Sequence, residues 1–289
     1  MNRLPLRRLL ASRHRPMILD GAIGTMLMHR CDDADCERLN LTDPAAVSEV
    51  HRLYLTAGAE IITTNTFCAS AAVPSADIAD RLRAACRIAA DEARRFTALT
   101  PDRPRYVAAS VGPGDMSVTP AEQLDYYLTN IREVMAAGAD MLLVESVYHS
   151  ASLRSCIEAV DSIARCTGER PEVAVSFTVS RDGRLMSGEV PEELLPLLDA
   201  VMPLAVGFNC CAGPASMAQC ARRLAEATDL PLIIYPSAGL PDSEGGYAMT
   251  PADFARRVSG MLPAGRVAVI GGCCGTTPAH IASLAETVG

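Results

Sequence analysis

The 289-residue chain has no tryptophan and no lysine, and only five phenylalanines and seven tyrosines. Its basic charge is therefore all arginine, and no arginine-dense run is interleaved with aromatic rings as a nucleic-acid surface would require. A formal net charge of −8 argues equally against an anionic membrane surface. No stretch approaches the roughly 18 consecutive apolar residues of a membrane span. The basic segment from Met1 to Arg15 holds only a short apolar run, Leu9-Leu10-Ala11, which is too brief and too broken by arginine for a signal sequence. Residues 1–15 are accordingly expected to form an N-terminal extension covering one end of the domain, in a cytoplasmic protein. No Gly-x-Gly-x-x-Gly follows the first apolar run, which counts against a doubly wound dinucleotide fold. The eleven cysteines (31, 36, 68, 86, 156, 166, 210, 211, 220, 273 and 274) are odd in number and lack the spacing of a small disulfide scaffold. Reduced thiols follow, with a few left for metal or catalysis.

What the chain does have is one unit, repeated. A short aliphatic run, a loop rich in Gly, Asn, Thr or Pro, and an amphipathic Ala/Leu/Arg helix recur eight times from Met17 onward. The strands are expected at 17–19, 61–64, 106–110, 141–144, 173–177, 205–208, 232–235 and 267–270. The helices are expected at 46–57, 78–96, 120–137, 151–165, 191–201, 215–227, 251–261 and 278–287. Thr119-Pro120, Thr250-Pro251 and Thr277-Pro278 each place a capping threonine before a first-turn proline, while Gly58 and Gly138 sit where a helix ends in a left-handed residue. Strict alternation implies parallel strands with helices outside, and eight units close a ring. The expected fold is a single-domain α/β protein, a (β/α)8 barrel of the TIM type spanning residues 16–289.

In such a barrel, chemistry gathers in the loops after the strands. The strand ends read Asp20-Gly21, Asn65-Thr66, Gly112-Pro113, Glu145, Thr178, Asn209-Cys210-Cys211, Pro236-Ser237 and Cys273-Cys274. Cysteines thus close both the sixth and the eighth strands, and alternate strands feed one layer of a barrel interior. Three thiolates suit zinc, and a three-ligand site leaves a fourth position open for substrate. A thiol held at such a site loses its proton near neutral pH, whereas a free aliphatic thiol with a pKa near about 8.5 is mostly protonated there. The implied chemistry is alkyl transfer to sulfur. Asp20 and Glu145 suit a substrate ammonium, and the backbone N–H groups from Gly21 to Thr25 suit a carboxylate. Together they describe an amino-acid thiol.

Several stretches also carry a family resemblance. They are Leu19-Asp20-Gly21-Ala22-Ile23-Gly24-Thr25-Met26, Leu39-Asn40-Leu41-Thr42, the run from Ala57 to Phe67, Gly138-Ala139-Asp140 through Glu145, Val206-Gly207-Phe208-Asn209-Cys210, Ala238-Gly239-Leu240-Pro241 and the run from Gly271 to Ile281. In these the chain resembles the homocysteine S-methyltransferases, and most of all the homocysteine-binding domain of cobalamin-dependent methionine synthase. The resemblance implies zinc on Cys210, Cys273 and Cys274, with Cys211 as a packing residue. It implies homocysteine as methyl acceptor, held at Asp20, Gly21, Asn65, Thr66 and Glu145, and Asn209 and Ser237 supporting the metal site from behind. Ser237 replaces a family asparagine, Ser146 replaces a threonine, and Thr63-Thr64 stands where the family has Glu-Thr.

The chain ends eight residues after Ile281, without a folate- or corrinoid-binding domain. The methyl group is therefore expected from a methylcorrinoid on a separate protein. The alternatives are a small donor such as S-methylmethionine, S-adenosylmethionine or betaine, or a non-catalytic barrel that binds zinc and a thiol amino acid. The acidic Cys31–Cys36 loop is read as solvated, His51 as structural, and His280 as orienting the cysteine turn.

Overall fold

The computed structural model describes residues 4–31, 35–67, 77–114, 117–261, 263 and 265–289. Eight parallel strands make one sheet: β1 (Met17–Ile18), β2 (Ile61–Thr63), β3 (Tyr106–Val111), β4 (Met141–Val147), β5 (Val173–Phe177), β6 (Ala205–Cys210), β7 (Leu232–Pro236) and β8 (Val267–Ile270). Neighbours in sequence are neighbours in space, with β1 beside β8. The remaining gap, between β1 and β2, is bridged at Leu19 and Ile61, where Glu60 N–H donates to the Ile18 carbonyl at 2.7 Å and Asp20 N–H to the Ile61 carbonyl at 3.0 Å. This is the single-domain (β/α)8 barrel expected from the eightfold repeat.

The helices are α1 (Leu6–Ser12), α2 (Ile23–Leu27), α3 (Leu39–Thr42), α4 (Pro44–Thr56), α5 (Ile78–Leu99), α6 (Pro120–Ala136), α7 (Ser150–Thr167), α8 (Pro191–Leu198), α9 (Pro214–Ala227), α10 (Pro251–Gly260) and α11 (Pro278–Val288). Helix α5 shows why they lie outside: Leu82, Ala85, Cys86, Ala89 and Ala93 recur on one buried face while Arg83, Arg87, Arg94 and Arg95 point to water. Thr119 and Glu122 form a reciprocal cap on α6, and the Thr250 hydroxyl accepts from Asp253 N–H on α10. Gly58 and Gly138 adopt the left-handed conformation (φ +103° and +93°) that ends α4 and α6. Most element ends shift by a few residues, and two shifts bear on the site or its support. Helix α4 starts at Pro44, because the Asp43 carboxylate accepts from Ala46 N–H at 3.1 Å and caps it earlier than the apolar pattern indicates. Strand β4 continues to Val147 past an irregularity after Val144, so Glu145 stands on a strand and not in a loop. Residues 32–34, inside the acidic loop, lie outside the described residues.

Strand parity then decides what lies inside the barrel. Met17, Leu19, Ile61, Tyr106, Ala108, Met141, Leu143, Ala174, Ala205, Ile233, Tyr235 and Val269 pack together as an interior cluster, and Leu6 of α1 closes it from the N-terminal end. Glu60 fixes that end: it is buried and pairs with Arg13 at 2.9 Å and Arg15 at 3.3 Å. Side chains alternate across a strand, so the same parity carried two residues further, or four on β6 past Gly207, points Thr63, Ser110, Glu145, Ser176, Asn209 and Tyr235 into the C-terminal mouth. Five of these six are polar groups other than the tyrosine, so the barrel is apolar at its base and polar at its mouth.

One buried group stands apart. His51, on α4, is fully buried, and among the described residues neither ring nitrogen has a hydrogen-bond partner. Burial pushes its pKa down to about 4, so the folded protein holds it neutral. Because the folded value lies below the ordinary one, the unfolded chain binds the extra proton between about pH 6.5 and pH 4. Stability is complete above that window and is lost on acidification through it, by about 3 kcal/mol at pH 4. Urea unfolding of wild type and His51→Leu at pH 7 and pH 4 should show this difference in acid sensitivity. Equal losses in both proteins would remove His51 from the account.

Candidate metal centre and substrate cavity

At the C-terminal mouth, β6 and β8 deliver three thiols to one point. Cys210 Sγ lies 2.8 Å from Cys273 Sγ and 3.7 Å from Cys274 Sγ, and the latter two are 4.0 Å apart. Among the described residues this is the one cluster of three or more Cys, His, Asp or Glu close enough to share an ion. Sulfurs about 2.3 Å from a tetrahedral zinc stand about 3.8 Å from one another, which two of these separations match. The shortest is still well beyond an S–S bond of about 2.05 Å. The donor set also calls for a cation. Hydrogen bonds from Cys210 and Cys273 drop the Cys274 thiol to about 3, while Cys273, engaged with Cys210 and Cys274, is held far above the ordinary range. Without a cation, like charges so close allow one thiolate, not three.

The backbone is bent to achieve this. Cys210 and Cys211 both take left-handed φ values, +54° and +55°, which cost roughly 1 kcal/mol or more each in non-glycine residues. The turn separates their side chains: Cys211 Sγ bonds the Asn209 carbonyl at 3.3 Å and packs on the outer core, away from the other thiols. On β8, a Cβ at Gly272 would lie 2.4 Å from Thr276 Oγ1, so only glycine lets the cysteine turn fold back on itself. Thr276 hydroxyl donates to the Cys273 carbonyl at 2.7 Å and accepts from Ala22 N–H at 3.2 Å, tying the β8 turn to the β1 loop. Tyr54, buried on α4, lies within hydrogen-bond distance of the Thr276 carbonyl (3.0 Å) and the Ala22 carbonyl (3.1 Å). At the start of α11, His280 Nδ1 accepts from Thr277 N–H at 3.2 Å while Nε2 reaches the Met249 carbonyl at 2.9 Å. It orients the turn and stays outside the thiol cluster.

Beside the thiols lies a cavity of about 350 Å³, walled among others by Asp20, Gly21, Asn65, Glu145, Cys210, Cys273 and Cys274. That size suits a small ligand. Glu145 accepts from Ser110 and, at 3.1 Å, from Tyr235. Burial pushes it up to about 7, against those two hydrogen bonds, with the Cys274 sulfur adding to the rise. Asp20 accepts from Thr63 N–H at 2.8 Å and from the Thr63 hydroxyl, and burial raises it well above the carboxylate range. Both are therefore buried acids in want of a cation.

The other expected residues are placed differently from one another. The Asn65 amide donates to the Cys36 carbonyl at 2.8 Å and to Asn40 Oδ1 at 3.0 Å, so it shapes the wall with its donors already used. Thr66 lies behind the wall, bonding the Ser110 carbonyl at 2.6 Å and Thr64 at 2.7 Å. Asn209 is a buried hub whose Oδ1 accepts from Ser146 N–H at 2.9 Å and Ser176 hydroxyl at 2.8 Å. Its Nδ2 donates to the Ser146 hydroxyl at 2.8 Å and faces Cys273 Sγ at 3.9 Å. Ser237 N–H donates to the Cys210 carbonyl at 3.1 Å, and its hydroxyl helps lower Cys274. Ser110, Tyr235, Asn40 and Tyr54 were missed in the sequence. The first two were available, since they fall two residues beyond inward-facing Ala108 and Ile233. Tyr54 carried no signal, because it is one apolar-face residue of a helix until two loops meet over it.

The sequence profile of the family described as homocysteine S-methyltransferase matches residues 17–288. The chain belongs to the homocysteine S-methyltransferase family. Among solved structures, the metallated form of the homocysteine methyltransferase MmuM from Escherichia coli is 26% identical with a TM-score of 0.81, and the apo form 27% identical with 0.77. Each match covers 98% of this chain and 99% of that one. A rubisco-like protein from Rhodopseudomonas palustris (16% identity, TM-score 0.51, 98% of this chain and 66% of that one) shares the fold alone. Membership makes the protein an enzyme of methyl transfer to homocysteine. No described helix is long and apolar enough to cross a membrane.

Asn209→Ala would leave Ser146 N–H and the Ser176 hydroxyl buried without their acceptor. The variant should unfold about 2 kcal/mol more easily than wild type in urea. A loss below about 0.5 kcal/mol would show that the hub is not needed to hold the mouth.

Proposed function

We propose that the protein methylates homocysteine at a zinc site formed by Cys210, Cys273 and Cys274. The convergence of three thiols from β6 and β8 on one point of a small cavity carries this reading. When bound, zinc favours the thiolate form of the acceptor sulfur near neutral pH. The protein's own groups do the rest. Glu145 and Asp20 receive the substrate ammonium, an ion pair strengthened by their burial. Ser110 and Tyr235 hold the Glu145 carboxylate in place, as Thr63 holds Asp20. The backbone around Gly21 to Thr25 lies on the same wall and suits the substrate carboxylate, although Ala22 N–H is already used by Thr276. Leu19, Ile23 and Phe67 exclude water from the methylene chain. Fixing the thiol in line with the donor methyl lowers the barrier by orientation.

For the donor, the wall composition favours the second of the two sources considered from sequence. Asp20, Asp35, Glu37 and Glu145 line the cavity, Asp35 with its carboxylate already paired to Arg81 at 2.7 Å, and among the described residues no basic side chain lines it. An acidic, enclosed wall suits a small cationic donor, such as a sulfonium or a quaternary ammonium, better than an anionic one. A methylcorrinoid on a separate protein is the competing source.

Three measurements test this. Zinc content and methionine formation should be followed on one sample with S-methylmethionine, S-adenosylmethionine, betaine and methylcobalamin. Turnover with a cationic donor is expected, and turnover with methylcobalamin alone would return the corrinoid partner to first place. Cys210→Ala should lose zinc while Cys211→Ala keeps it; the reverse would overturn the ligand set. Glu145→Gln keeps the hydrogen-bonding shape and removes the charge, so KM for homocysteine should rise about 10- to 100-fold. An unchanged KM would exclude Glu145 as the ammonium partner.

A further inference from the structure

The acidic loop after α2 was read from sequence as solvated, yet its two cysteines come together. Cys31 Sγ lies 3.0 Å from Cys36 Sγ, closer than thiols that merely share a surface and about 1 Å beyond a bond. The pair is not adrift. Cys31 Sγ also bonds the Leu27 carbonyl at 3.4 Å, which fixes it to the end of α2, and Cys36 is buried. Neither thiol belongs to the cluster at the barrel mouth, and among the described residues no third Cys, His, Asp or Glu joins them within metal-sharing distance. Two ligands alone are a poor cation site, whereas two thiols in contact are a redox pair.

Its position ties it to the cavity. Cys36 is part of the wall, together with Met28 and Glu37 on either side of the pair. The Cys36 carbonyl accepts the Asn65 amide at 2.8 Å, and Asn65 in turn holds Asn40. Any shift of Cys36 toward Cys31 therefore pulls on the wall facing the substrate.

We propose that Cys31 and Cys36 are a reversible dithiol–disulfide pair that reshapes the homocysteine cavity when oxidised. The oxidant is a low-molecular-weight disulfide, the class formed when small thiols such as the substrate oxidise. The thiolate of one cysteine attacks a sulfur of the small disulfide, forming a mixed disulfide and releasing one small thiol. The second cysteine, as thiolate, attacks the protein sulfur of that mixed disulfide, closing Cys31–Cys36 and releasing the second small thiol. Two electrons pass from the protein dithiol to the small disulfide, and the two thiol protons leave with the two released thiols. A small dithiol returns the pair to its reduced state by the reverse sequence.

The test uses the full-length, zinc-loaded protein in buffers of reduced and oxidised glutathione at graded ratios. Alkylation followed by peptide mass analysis reads the Cys31–Cys36 link, and zinc content reads the other site. The link should appear at oxidising ratios with zinc retained and vanish on adding a reduced dithiol. KM for homocysteine should differ at least threefold between the two states in wild type. In Cys31→Ser it should not respond to the ratio. The bridging result stands or falls without the methyltransferase reading, and only the KM result rests on it. Independent alkylation of both cysteines at every ratio, oxidation seen only with zinc loss, or a bridge that leaves KM unchanged would each overturn the proposal.

Discussion

Closure of the eight-strand ring is the constraint on which everything else in this molecule depends. Once β1 and β8 pair and Leu19 meets Ile61, each strand has only two faces to offer, one to the interior and one to the helices. Parity does the sorting from there. Residues such as Ala108, Leu143, Ala205 and Ile233 fill the base, and inward positions further along the same strands, Ser110, Glu145, Asn209 and Tyr235, reach the mouth. A one-residue slip in any strand would send its polar end group into the apolar layer under the helices, at the cost of an unpaired buried group. The same register that stabilises the core therefore positions the chemistry.

The mouth is built against the grain of the backbone. Ser146, Cys210 and Cys211 all have positive φ, a conformation that favours glycine. Each lies at a strand end on the rim, and the interactions that hold them come from elsewhere: the Asn209 hub, the Thr276 bridge and the Tyr54 hydroxyl beneath both loops. Strain at the rim is offset by packing and hydrogen bonds in the wall. Such an arrangement fixes the thiols in advance of any ligand, and a preorganised donor set spends none of its binding energy on folding the site.

Charge shapes the cavity as much as form does. The wall carries four carboxylates, one of them, Asp35, paired with Arg81 behind it, and no basic group among the described residues, in a chain whose overall balance is already acidic. Burial, with nearby negative charge adding to it, raises Asp20 and Glu145, so their ionised forms become favourable when a cation arrives.

The sequence by itself determined the repeat, and through it the barrel. Eight strand–loop–helix units, threonine–proline caps and glycine stops are local features, readable because each depends on residues within a few positions. It also singled out Cys273-Cys274 and the Asn209-Cys210 strand end, since strand order in a closed ring places them two strands apart. Only the tertiary structure decided the rest. Cys211 turns away from Cys210 because of two left-handed residues, Thr66 falls behind the wall, and Cys31 meets Cys36 across a loop that composition marked as merely polar. Tyr54 becomes a strap only where loops more than 250 residues apart, at Ala22 and Thr276, meet over it. Such contacts leave no local pattern, because their energy comes from groups that the chain brings together only after the ring has closed.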